Sequence, residues 1–506
     1  MADIVIYGGE PGGIAAALTC ARRSAGHAEV VLCFPEETLG GGLVPGGLQS
    51  WERRPWTHLG HRADPQGGSF GRWLARHGES FGGPAMAEAW AEELKAAGVS
   101  VISGHDIEAV LTTAGDGKPA RGRSRRRKHG PPGTIDGLRL RPLVLGEDGQ
   151  STLGGDPVEL RASVFIDASS TGRLIRLAGV PASIGRQDWN PDCRQMAAML
   201  MFPVQGLDWD GIMAARDTEE RPVWGTAVSD GQRTFWGGQS VAATDELVAA
   251  FHEAHPHFRL GSLRAIEAEP GTFWVQGLLV FGIDARFRHY DQDTERAGTP
   301  FPANALDSDG GYRAAHKVAG SSDLLGALRR FPGWEKVEVC RDGSDQIRSA
   351  QTLFLRETIH ATGPTGFALG IDDIAGAGTH STEGKDARHH GRRIGLGFYW
   401  LESVGYVGHE SLPMPHAATN PVYLPLDCCL VPPVRNLLVC GYAAPIESRA
   451  WWAMRAAPNL CVLGDAAGAA AAYALREGKS PLQFGNPEVA AIQSWLQADG
   501  AILDKW

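Results

Sequence analysis

The chain has few cysteines for its length of 506 residues. Its eight cysteines include no C-x-x-C pair and no quartet with the spacing of a zinc site, so we predict no bound metal. We interpret the cysteines as small buried apolar residues in a reducing compartment. Cys428 and Cys429 are adjacent, and for this pair we favour packing in a core strand over redox chemistry.

Long apolar runs and an N-terminal leader are also missing. No apolar stretch approaches the roughly 20 residues that a helix needs to cross a bilayer. The first strand-like run starts at Ile4, which leaves no room before it for the charged, apolar and cleavage regions of a signal peptide. We therefore expect a cytoplasmic protein that has no membrane partner.

The sequence has no overall excess of positive charge. Its formal net charge of -10 argues against nucleic acid or an anionic membrane surface as the main partner. One local exception is the run RGRSRRRKHG at 121–130, which we interpret as an exposed hairpin loop. The alternative is a role for this run in binding RNA.

The start of the chain has the pattern of a dinucleotide-binding unit. Residues 4–7 form a short apolar run that suits a buried parallel strand. Residues 14–23 predict a helix of small residues that ends in two arginines, and residues 28–34 predict a second strand. A strand, a glycine turn, a helix and a strand in this order are the context of the G-x-G-x-x-G fingerprint, which has a glycine where this chain has Glu10.

Other segments predict how the rest of the chain is organised. We expect a helix at 84–97, strands at 98–104 and 135–145, and a strand followed by a turn at 163–172. Residues 186–420 have a looser pattern, from which we predict a substrate domain. Strand and helix patterns of the nucleotide-binding type return after 435.

Several short motifs make the chain resemble a known family. They are YGGEPGGIAAA (7–17), LGGGLVPGGL (39–48), DASSTG (167–172), LRETIH (355–360), NLLVCG (436–441) and GDAAG (464–468). On these motifs the chain resembles FAD-dependent oxidoreductases of the glutathione reductase-like type, whose first turn reads Y-G-G-T-P-A-G. The similarity extends from residue 4 to about 503 and is weak in the middle.

The resemblance implies an α/β fold with two domains. A discontinuous Rossmann-like FAD-binding domain would comprise residues 1–185 and 421–506, with an inserted α+β substrate domain at 186–420. The implied cofactor is FAD. The residues expected to contact it are Gly8, Gly9, Gly12, Gly13, Glu36, Gly40, Gly41, Ala168, Gly464, Asp465 and Gly468.

Two residues depart from the family's pattern. Relatives have a small hydroxyl residue at position 10, and a carboxylate about 4 Å from a pyrophosphate charge would cost of order 4 kcal/mol at an effective dielectric near 20. We hypothesise that Glu10 turns outward, towards an arginine or the substrate. Phe34 stands where an acid usually holds the adenosine ribose. Glu36 or Glu37 either reaches the ribose instead or is an ordinary loop acid.

Two further motifs have a role implied by the resemblance. Asp465 is expected to bond the ribityl chain, and a helix starting at Ala466 would aim its positive end at the flavin pyrimidine edge. The alternative is an alanine-rich core helix with an aspartate N-cap. The segment LGGGLVPGG is either a loop against the isoalloxazine ring or a flexible linker.

Candidate catalytic residues are harder to identify from the sequence. Oxidation of an alcohol or amine needs a base near flavin N5, and histidine suits neutral pH. His360, His380 and His416 lie in the segments that flank the predicted substrate pocket, although a structural role is the default interpretation of each. Arg356 and Glu357 are predicted to form an internal salt bridge, with binding of an anionic substrate as the alternative.

The chain also has fifteen tryptophans, several of them in predicted loops. Core burial is the default interpretation of such residues. A pocket for a sugar ring or an aromatic group is the alternative. The loop tryptophans concerned are Trp51, Trp56, Trp451 and Trp452.

These observations predict hydride transfer from a small organic substrate, such as a sugar, alcohol, amine or acid, to N5 of FAD. The electron acceptor and the oligomeric state stay open. One alternative is an FAD fold that has lost its flavin and acts as a binding or scaffold protein, which Glu10 and Phe34 together would allow. The other is a flavoprotein that acts on RNA. A nicotinamide-only dehydrogenase is a weaker option because it gives GDAAG no role.

Overall fold

The computed structural model describes residues 2–113, 133–146, 150–216, 223–229, 231–291, 305–408 and 418–506. The basic run at 121–130 and His416 therefore lie outside the described residues. Among the described helices, none combines the length and the apolar character needed to cross a bilayer.

Strands and helices alternate along much of the described chain. The strands are β1 (Ile4–Tyr7), β2 (Val30–Cys33), β3 (Trp56–His58), β4 (His61–Ala63), β5 (Ser100–Ile102), β6 (His105–Thr113), β7 (Thr134–Leu145), β8 (Ser151–Leu153), β9 (Val158–Arg161), β10 (Val164–Asp167), β11 (Ala182–Ile184), β12 (Ala198–Gln205), β13 (Trp224–Ser229), β14 (Gln232–Gly237), β15 (Phe258–Glu269), β16 (Thr272–Val280), β17 (Ile283–Asp284), β18 (Leu306–Asp307), β19 (Glu338–Val339), β20 (Ile359–Ala361), β21 (Arg393–Gly397), β22 (Val422–Pro425) and β23 (Leu437–Val439). The α-helices are α1 (Pro11–Arg23), α2 (Gly68–His77), α3 (Gly83–Ala96), α4 (Arg173–Leu177), α5 (Trp209–Arg216), α6 (Gln239–Thr244), α7 (Glu246–Ala254), α8 (Ser308–Ala319), α9 (Ser322–Leu328), α10 (Ile371–Ala375), α11 (Ser448–Met454), α12 (Ala457–Glu477) and α13 (Asn486–Ala498). Short 3₁₀ helices span Gly41–Leu43, Gly185–Asp188, His289–Asp291, Pro364–Gly366, Lys385–Arg392, Leu426–Cys429 and Pro481–Gln483.

A five-stranded parallel sheet forms the nucleotide-binding part of the fold. Its strand order is β23-β10-β1-β2-β5, and each neighbouring pair is parallel. All four residues of β1 are buried, as expected for a strand covered on both faces. The predicted α/β, Rossmann-like class is confirmed. The elements predicted before residue 180 are observed with their ends shifted by a few residues.

The middle of the chain builds a separate antiparallel sheet. Its order is β13-β14-β15-β16-β12-β19, so all of its strands lie between residues 198 and 339. A second apolar core covers this sheet, with α8 and α9 among the elements that contribute to it. The domain boundaries at 185 and 420 stay a prediction. β11 pairs with β20 across residue 185, and β21 pairs with β22 across residue 420.

The predicted helix start at Ala466 is wrong. α12 begins at Ala457, with Pro458 in its first turn, and runs without a break through the apolar segment before GDAAG. A short apolar run of this kind suits a buried strand or a buried helix equally, and in this chain the buried helix forms. Asp465 therefore lies inside a helix and does not cap one.

The first and last parts of the chain meet where α1 packs on α12. A Cβ at Gly464 would lie 2.1 Å from the carbonyl oxygen of Gly12, and one at Gly468 would lie 2.5 Å from that of Ala16. Glycine at these two positions therefore allows the two backbones to touch. Side chains reinforce the contact, because Thr19 Oγ1 donates to Asp465 Oδ1 at 2.9 Å.

All eight cysteines are buried and free, as predicted. Cys428 and Cys429 are fully buried, which agrees with the packing interpretation. They lie in the 3₁₀ helix Leu426–Cys429, however, and not in a strand. Burial raises the pKa of both thiols, which disfavours the reactive thiolate.

Gly464→Ala should destabilise the protein, because the added methyl group would lie 2.1 Å from the Gly12 carbonyl and force the two helices apart. Overpacking of this kind costs about 1–3 kcal/mol. Gly326→Ala in α9 is the matched control, since no neighbouring atom lies within 4 Å of its added methyl group. Thermal unfolding followed by far-UV circular dichroism should give a lower midpoint for Gly464→Ala alone. Equal midpoints would contradict the close helix contact.

Candidate functional site

The first glycine turn places a helix N-terminus at the carboxyl edge of the parallel sheet. Gly8 has φ +126°, and a Cβ there would lie 2.5 Å from the backbone carbon of Ala168, so the turn requires glycine. The N–H groups in the first turn of α1 have no acceptor within the helix and form the positive end of its dipole. This turn can therefore bind an anionic group such as a pyrophosphate.

The other predicted glycines of the turn serve close packing. A Cβ at Gly9 would lie 2.8 Å from the Phe34 ring, one at Gly12 would lie 2.9 Å from the α12 backbone, and one at Gly13 would lie 2.0 Å from the Gly8 carbonyl oxygen. Phe34 thus fills the space above Gly9 at the end of β2. These close contacts hold the turn, α1 and β2 together.

The segment at 39–48 is a structured loop, so the linker interpretation is wrong. The Gly40 N–H donates to the Gly9 carbonyl oxygen at 2.8 Å, which fastens the loop to the first turn. Gly41–Leu43 then form a 3₁₀ helix. Gly41 and Gly42 present bare backbone beside the first turn.

Glu10 lies between the first turn and this loop. Its carboxylate accepts a hydrogen bond from the Gly42 N–H at 3.0 Å and is so close to Gly41 that a Cβ there would lie 1.9 Å from Oε2. The residue is 8% exposed. The expectation that Glu10 turns towards an arginine is wrong, since the described part of the chain offers it no ion-pair partner, whereas the expectation that it faces the substrate stays a prediction.

Burial sets the protonation of Glu10. Desolvation raises the pKa of its carboxyl to about 7, although the hydrogen bond from Gly42 acts in the opposite direction. The charge of Glu36 nearby raises the pKa further. Glu10 is thus a carboxyl group that changes its charge close to neutral pH.

Glu10 lines a cavity of about 440 Å³, which we name cavity 1. It extends from the first turn past the end of β2 to the strand β7. The residues that line it include Glu10, Glu36, Gly41, Gly42, Leu143, Leu145, Ser170, Arg288, Leu355 and Tyr442. Cavity 1 is therefore lined by Glu10, which is the N-cap residue of α1, by the loop glycines Gly41 and Gly42 and by an acid after β2.

The two acids after β2 have different surroundings. Glu36 lies in cavity 1 and pairs with Arg288 at 3.1 Å. The Glu37 carboxylate also lines the cavity but packs against Gly104, where a Cβ would lie 2.5 Å from it. Arg288 thus holds Glu36, whereas Glu37 is turned towards Gly104, and a role of either acid at a ribose stays a prediction.

A buried network of charges positions Arg288. Asp106 accepts hydrogen bonds from Tyr7 and Tyr290 and pairs with Arg173 at 2.9 Å. Burial opposes ionisation of Asp106, but Arg173 and Arg288 outweigh it and hold the pKa of the carboxyl below its usual value. This network was not predicted from the sequence, because its members come from segments that no motif connects.

Of the eleven residues predicted to bind the cofactor, only Glu36 and Gly41 line cavity 1. Three of the others lie on the contact of α12 with α1 and α2. They are Gly464, Asp465 and Gly468. The Asp465 carboxylate accepts hydrogen bonds from the Ser69 N–H at 2.8 Å and from its hydroxyl at 2.6 Å, in addition to the bond from Thr19. Its oxygens are thereby engaged in fastening α12 to α1 and α2.

A second cavity, of about 660 Å³, lies beside the first, and we name it cavity 2. The residues that line it include Leu48, Trp51, Glu52, Arg264, Trp236, Phe354, Arg356, Tyr399, Trp400, Glu402 and Arg455. The four loop tryptophans Trp51, Trp56, Trp451 and Trp452 are all buried, and of these four Trp51 alone lines cavity 1 or cavity 2.

The segment 351–356 separates the two cavities. Leu353 and Leu355 line cavity 1, whereas Phe354 and Arg356 line cavity 2, which is the alternation of an extended chain. The Phe354 ring also packs on Gly42, where a Cβ would lie 2.7 Å from it. One extended segment thus places alternate side chains in two adjoining compartments.

Neither of the two described candidate histidines lines cavity 1 or cavity 2. His360 is buried, its Nε2 lies 3.0 Å from Glu357 Oε1, and its ring packs against Trp451. His380 is exposed and contacts the ring of His58. A catalytic role for a histidine stays a prediction that neither cavity supports.

The predicted salt bridge between Arg356 and Glu357 does not form. Glu357 accepts from the Met196 N–H at 2.9 Å and contacts His360, whereas Arg356 Nη1 donates to the carbonyl oxygen of Ala197 at 2.9 Å. Adjacent residues in an extended segment point to opposite sides, which is why the two side chains part.

Two further residues beside the cavities were not predicted. The Tyr442 hydroxyl donates to the Leu355 carbonyl oxygen at 3.0 Å, and Arg455 lies at the end of α11. Tyr442 closely follows the strand of the NLLVCG motif, so the carboxyl end of β23 was a signal that could have identified it.

Gly41→Ala should destabilise the native chain more than it destabilises a Glu10→Ala variant, because the new methyl group would collide with the Glu10 carboxylate. Both backgrounds share the cost of a side chain at φ +46°. Urea unfolding of the four proteins of this double-mutant cycle should give a coupling of about 0.5–3 kcal/mol. Additive effects, such as those expected with the exposed Glu88→Gln as the partner substitution, would place Glu10 elsewhere.

Comparison with known proteins agrees with this geometry. The family model described as FAD dependent oxidoreductase matches residues 3–137 and 148–496. No curated protein matches the chain. Within the described residues, no group of three or more metal-ligating side chains is found.

The solved structures that match the chain are distant in sequence and have low TM-scores. A geranylgeranyl bacteriochlorophyll reductase-like protein from Thermoplasma acidophilum is 10% identical, with 99% of this chain and 84% of that chain covered and a TM-score of 0.38. The p-nitrophenol 4-monooxygenase of Pseudomonas putida is 10% identical, with 98% and 89% covered and a TM-score of 0.36. The myxobacterial chondrochloren halogenase is 14% identical with a TM-score of 0.34, and the match covers 72% of this chain and 66% of that chain, slightly less than two thirds of its length.

The family match extends over nearly the whole chain and includes every motif discussed above. The chain therefore belongs to the FAD dependent oxidoreductase family and is an enzyme whose cofactor is FAD.

Proposed function

We propose that the enzyme removes a hydride from a small organic substrate and passes it to N5 of the flavin. The observation that supports this most is the pair of cavities on either side of the segment 351–356. Glu10, the N-cap residue of α1, lines one of them, and the other is lined by aromatic and charged side chains. This arrangement suits a cofactor compartment that adjoins a substrate compartment.

The residues of cavity 1 fit FAD. The free N–H groups of α1 suit the pyrophosphate, and Glu36 suits the ribose hydroxyls. Gly41 and Gly42 have no side chains to keep a planar ring from the loop. Bound FAD supplies a two-electron acceptor. Glu10 lies beside the turn and would repel an anionic cofactor, but only when its carboxyl is ionised.

We assign the proton-accepting role to Glu52. No histidine of the described chain lines cavity 2, and the Glu52 side chain is only 11% exposed. Arg455 Nη1 holds its carboxylate at 3.2 Å, while Trp51 and Tyr399 limit the access of water. The substrate would thus give a hydride to the cofactor and a proton to Glu52, which balances a two-electron oxidation.

The test is a visible spectrum of the purified protein after incubation with FAD, followed by anaerobic bleaching against sugars, alcohols, amines and organic acids. We expect flavin bands and bleaching by one class. Glu52→Gln should slow the bleaching without changing the oxidised spectrum. A protein that stays colourless in FAD would contradict the proposal and support a flavin-free binding protein.

Glu10→Gln should remove most of the pH dependence of FAD binding between pH 6 and 8. Because the pKa of Glu10 is raised to about 7, its carboxyl is mainly neutral at pH 6 and mainly ionised at pH 8. The ionised form repels the pyrophosphate, so the dissociation constant of the native chain should rise with pH, by at most about tenfold per unit. Fluorescence titration with FAD measures this dissociation constant at each pH.

A control variant and one contradicting result show whether Glu10 is the group that repels the cofactor. Glu88→Gln, on the exposed face of α3, should keep the native pH dependence. A Glu10→Gln variant with the native slope would show that another group repels the cofactor.

A further inference from the structure

Cavity 2 contains a buried cation without an anion. Arg356 is 7% exposed, and no carboxylate of the described chain lies within ion-pairing distance of it. Its Nη1 donates to a backbone carbonyl, but its Nε has no hydrogen-bond partner. Burial, together with the positive charge of Arg455, lowers the pKa of Arg356 to about 10.

Two other arginines that line the cavity are paired with carboxylates. Arg455 contacts Glu52 and Glu402, each at 3.2 Å, and Arg53 contacts Asp64 and Glu79. Glu52 and Glu402 attract the Arg356 guanidinium only at longer range, and neither forms an ion pair with it. Since an unpaired buried charge is costly, the cavity favours a ligand that supplies one negative charge at Arg356.

Arg264 adds to the positive charge. It lines cavity 2 at intermediate exposure, and no carboxylate in the described ranges pairs with it. It stands on β15, across the cavity from the segment that carries Arg356. The field of these two arginines would attract an anion to the cavity.

The mouth of the cavity is aromatic. Trp236 and Trp400 are 46% and 54% exposed, which is unusual for tryptophan, and the Arg54 guanidinium stacks on Trp400 at 3.7 Å. Tyr399 and Phe354 line the cavity further in. Such walls suit a flat apolar body between the mouth and the arginine.

We propose that cavity 2 binds an aromatic monocarboxylate, with its carboxylate on Arg356 and its ring against the tryptophans of the mouth. This inference rests on the proposed function, of which it names the substrate class. A single negative charge is specified because Glu52 and Glu402 line the same cavity and would repel a dianion such as phosphate. A guanidinium also binds a carboxylate through two parallel hydrogen bonds.

The test compares indole-3-acetate with indole-3-acetamide, which has the same shape and no charge. Isothermal titration of the FAD-loaded protein should give at least about tenfold tighter binding of the acid. Arg356→Met should reduce that preference to less than about threefold, and Arg161→Met, an exposed arginine on β9, should keep it. Inorganic phosphate should not compete with the acid.

A second variant keeps the inference testable if Arg356→Met does not fold. The Glu402 side chain is 57% exposed, so Glu402→Gln should fold normally and bind the acid severalfold tighter, because a competing carboxylate is removed. Equal binding of acid and amide by the native protein, or no effect of Glu402→Gln, would overturn the proposal. Neither result would change the flavin spectrum, whereas failure of the proposed function would.

Discussion

The contact between α1 and α12 is the constraint on which the rest of the structure depends. It joins residues more than 400 positions apart, and it does so through backbone, because Gly464 and Gly468 have no side chain to hold the helices apart. The N-cap residue of α1, Glu10, lines cavity 1. α12 follows directly on α11 and on Arg455, which lines cavity 2. The two compartments are therefore fixed relative to each other by one tight helix pair.

Some charged side chains near the two cavities have a charged partner and others do not. Near cavity 1 the acids and arginines are matched, since Asp106, Arg173, Arg288 and Glu36 form one connected network. Glu10 and Arg356 are the exceptions, one a buried acid and the other a buried base, and each lacks a charged partner among the described residues. Groups that are buried without compensation commonly mark functional sites, because a ligand can supply what the protein leaves out. Both exceptions line a cavity.

The two exceptions act in opposite directions on ligands. Glu10 disfavours an anion when it is ionised, so it makes the cofactor compartment sensitive to protonation. Arg356 favours an anion across the neutral pH range, so it selects substrates by charge. Glu10 lines cavity 1 and Arg356 lines cavity 2, so these preferences stay separate although the compartments adjoin.

The sequence by itself determined the local elements near the N-terminus. The buried strand, the glycine turn, the helix and the second strand follow from short-range apolar pattern and from glycines whose neighbours leave no room for a side chain. It failed at 459–466, because a short apolar run suits either a strand or a buried helix until its packing partner is known. Only the tertiary structure decided where Glu10 and Arg356 point and which partners they lack, since their neighbours come from distant segments. Hydrogen bonds and charge pairing across such distances leave no periodic trace along a chain, and this is why the fold could be predicted and the chemistry of the two cavities could not.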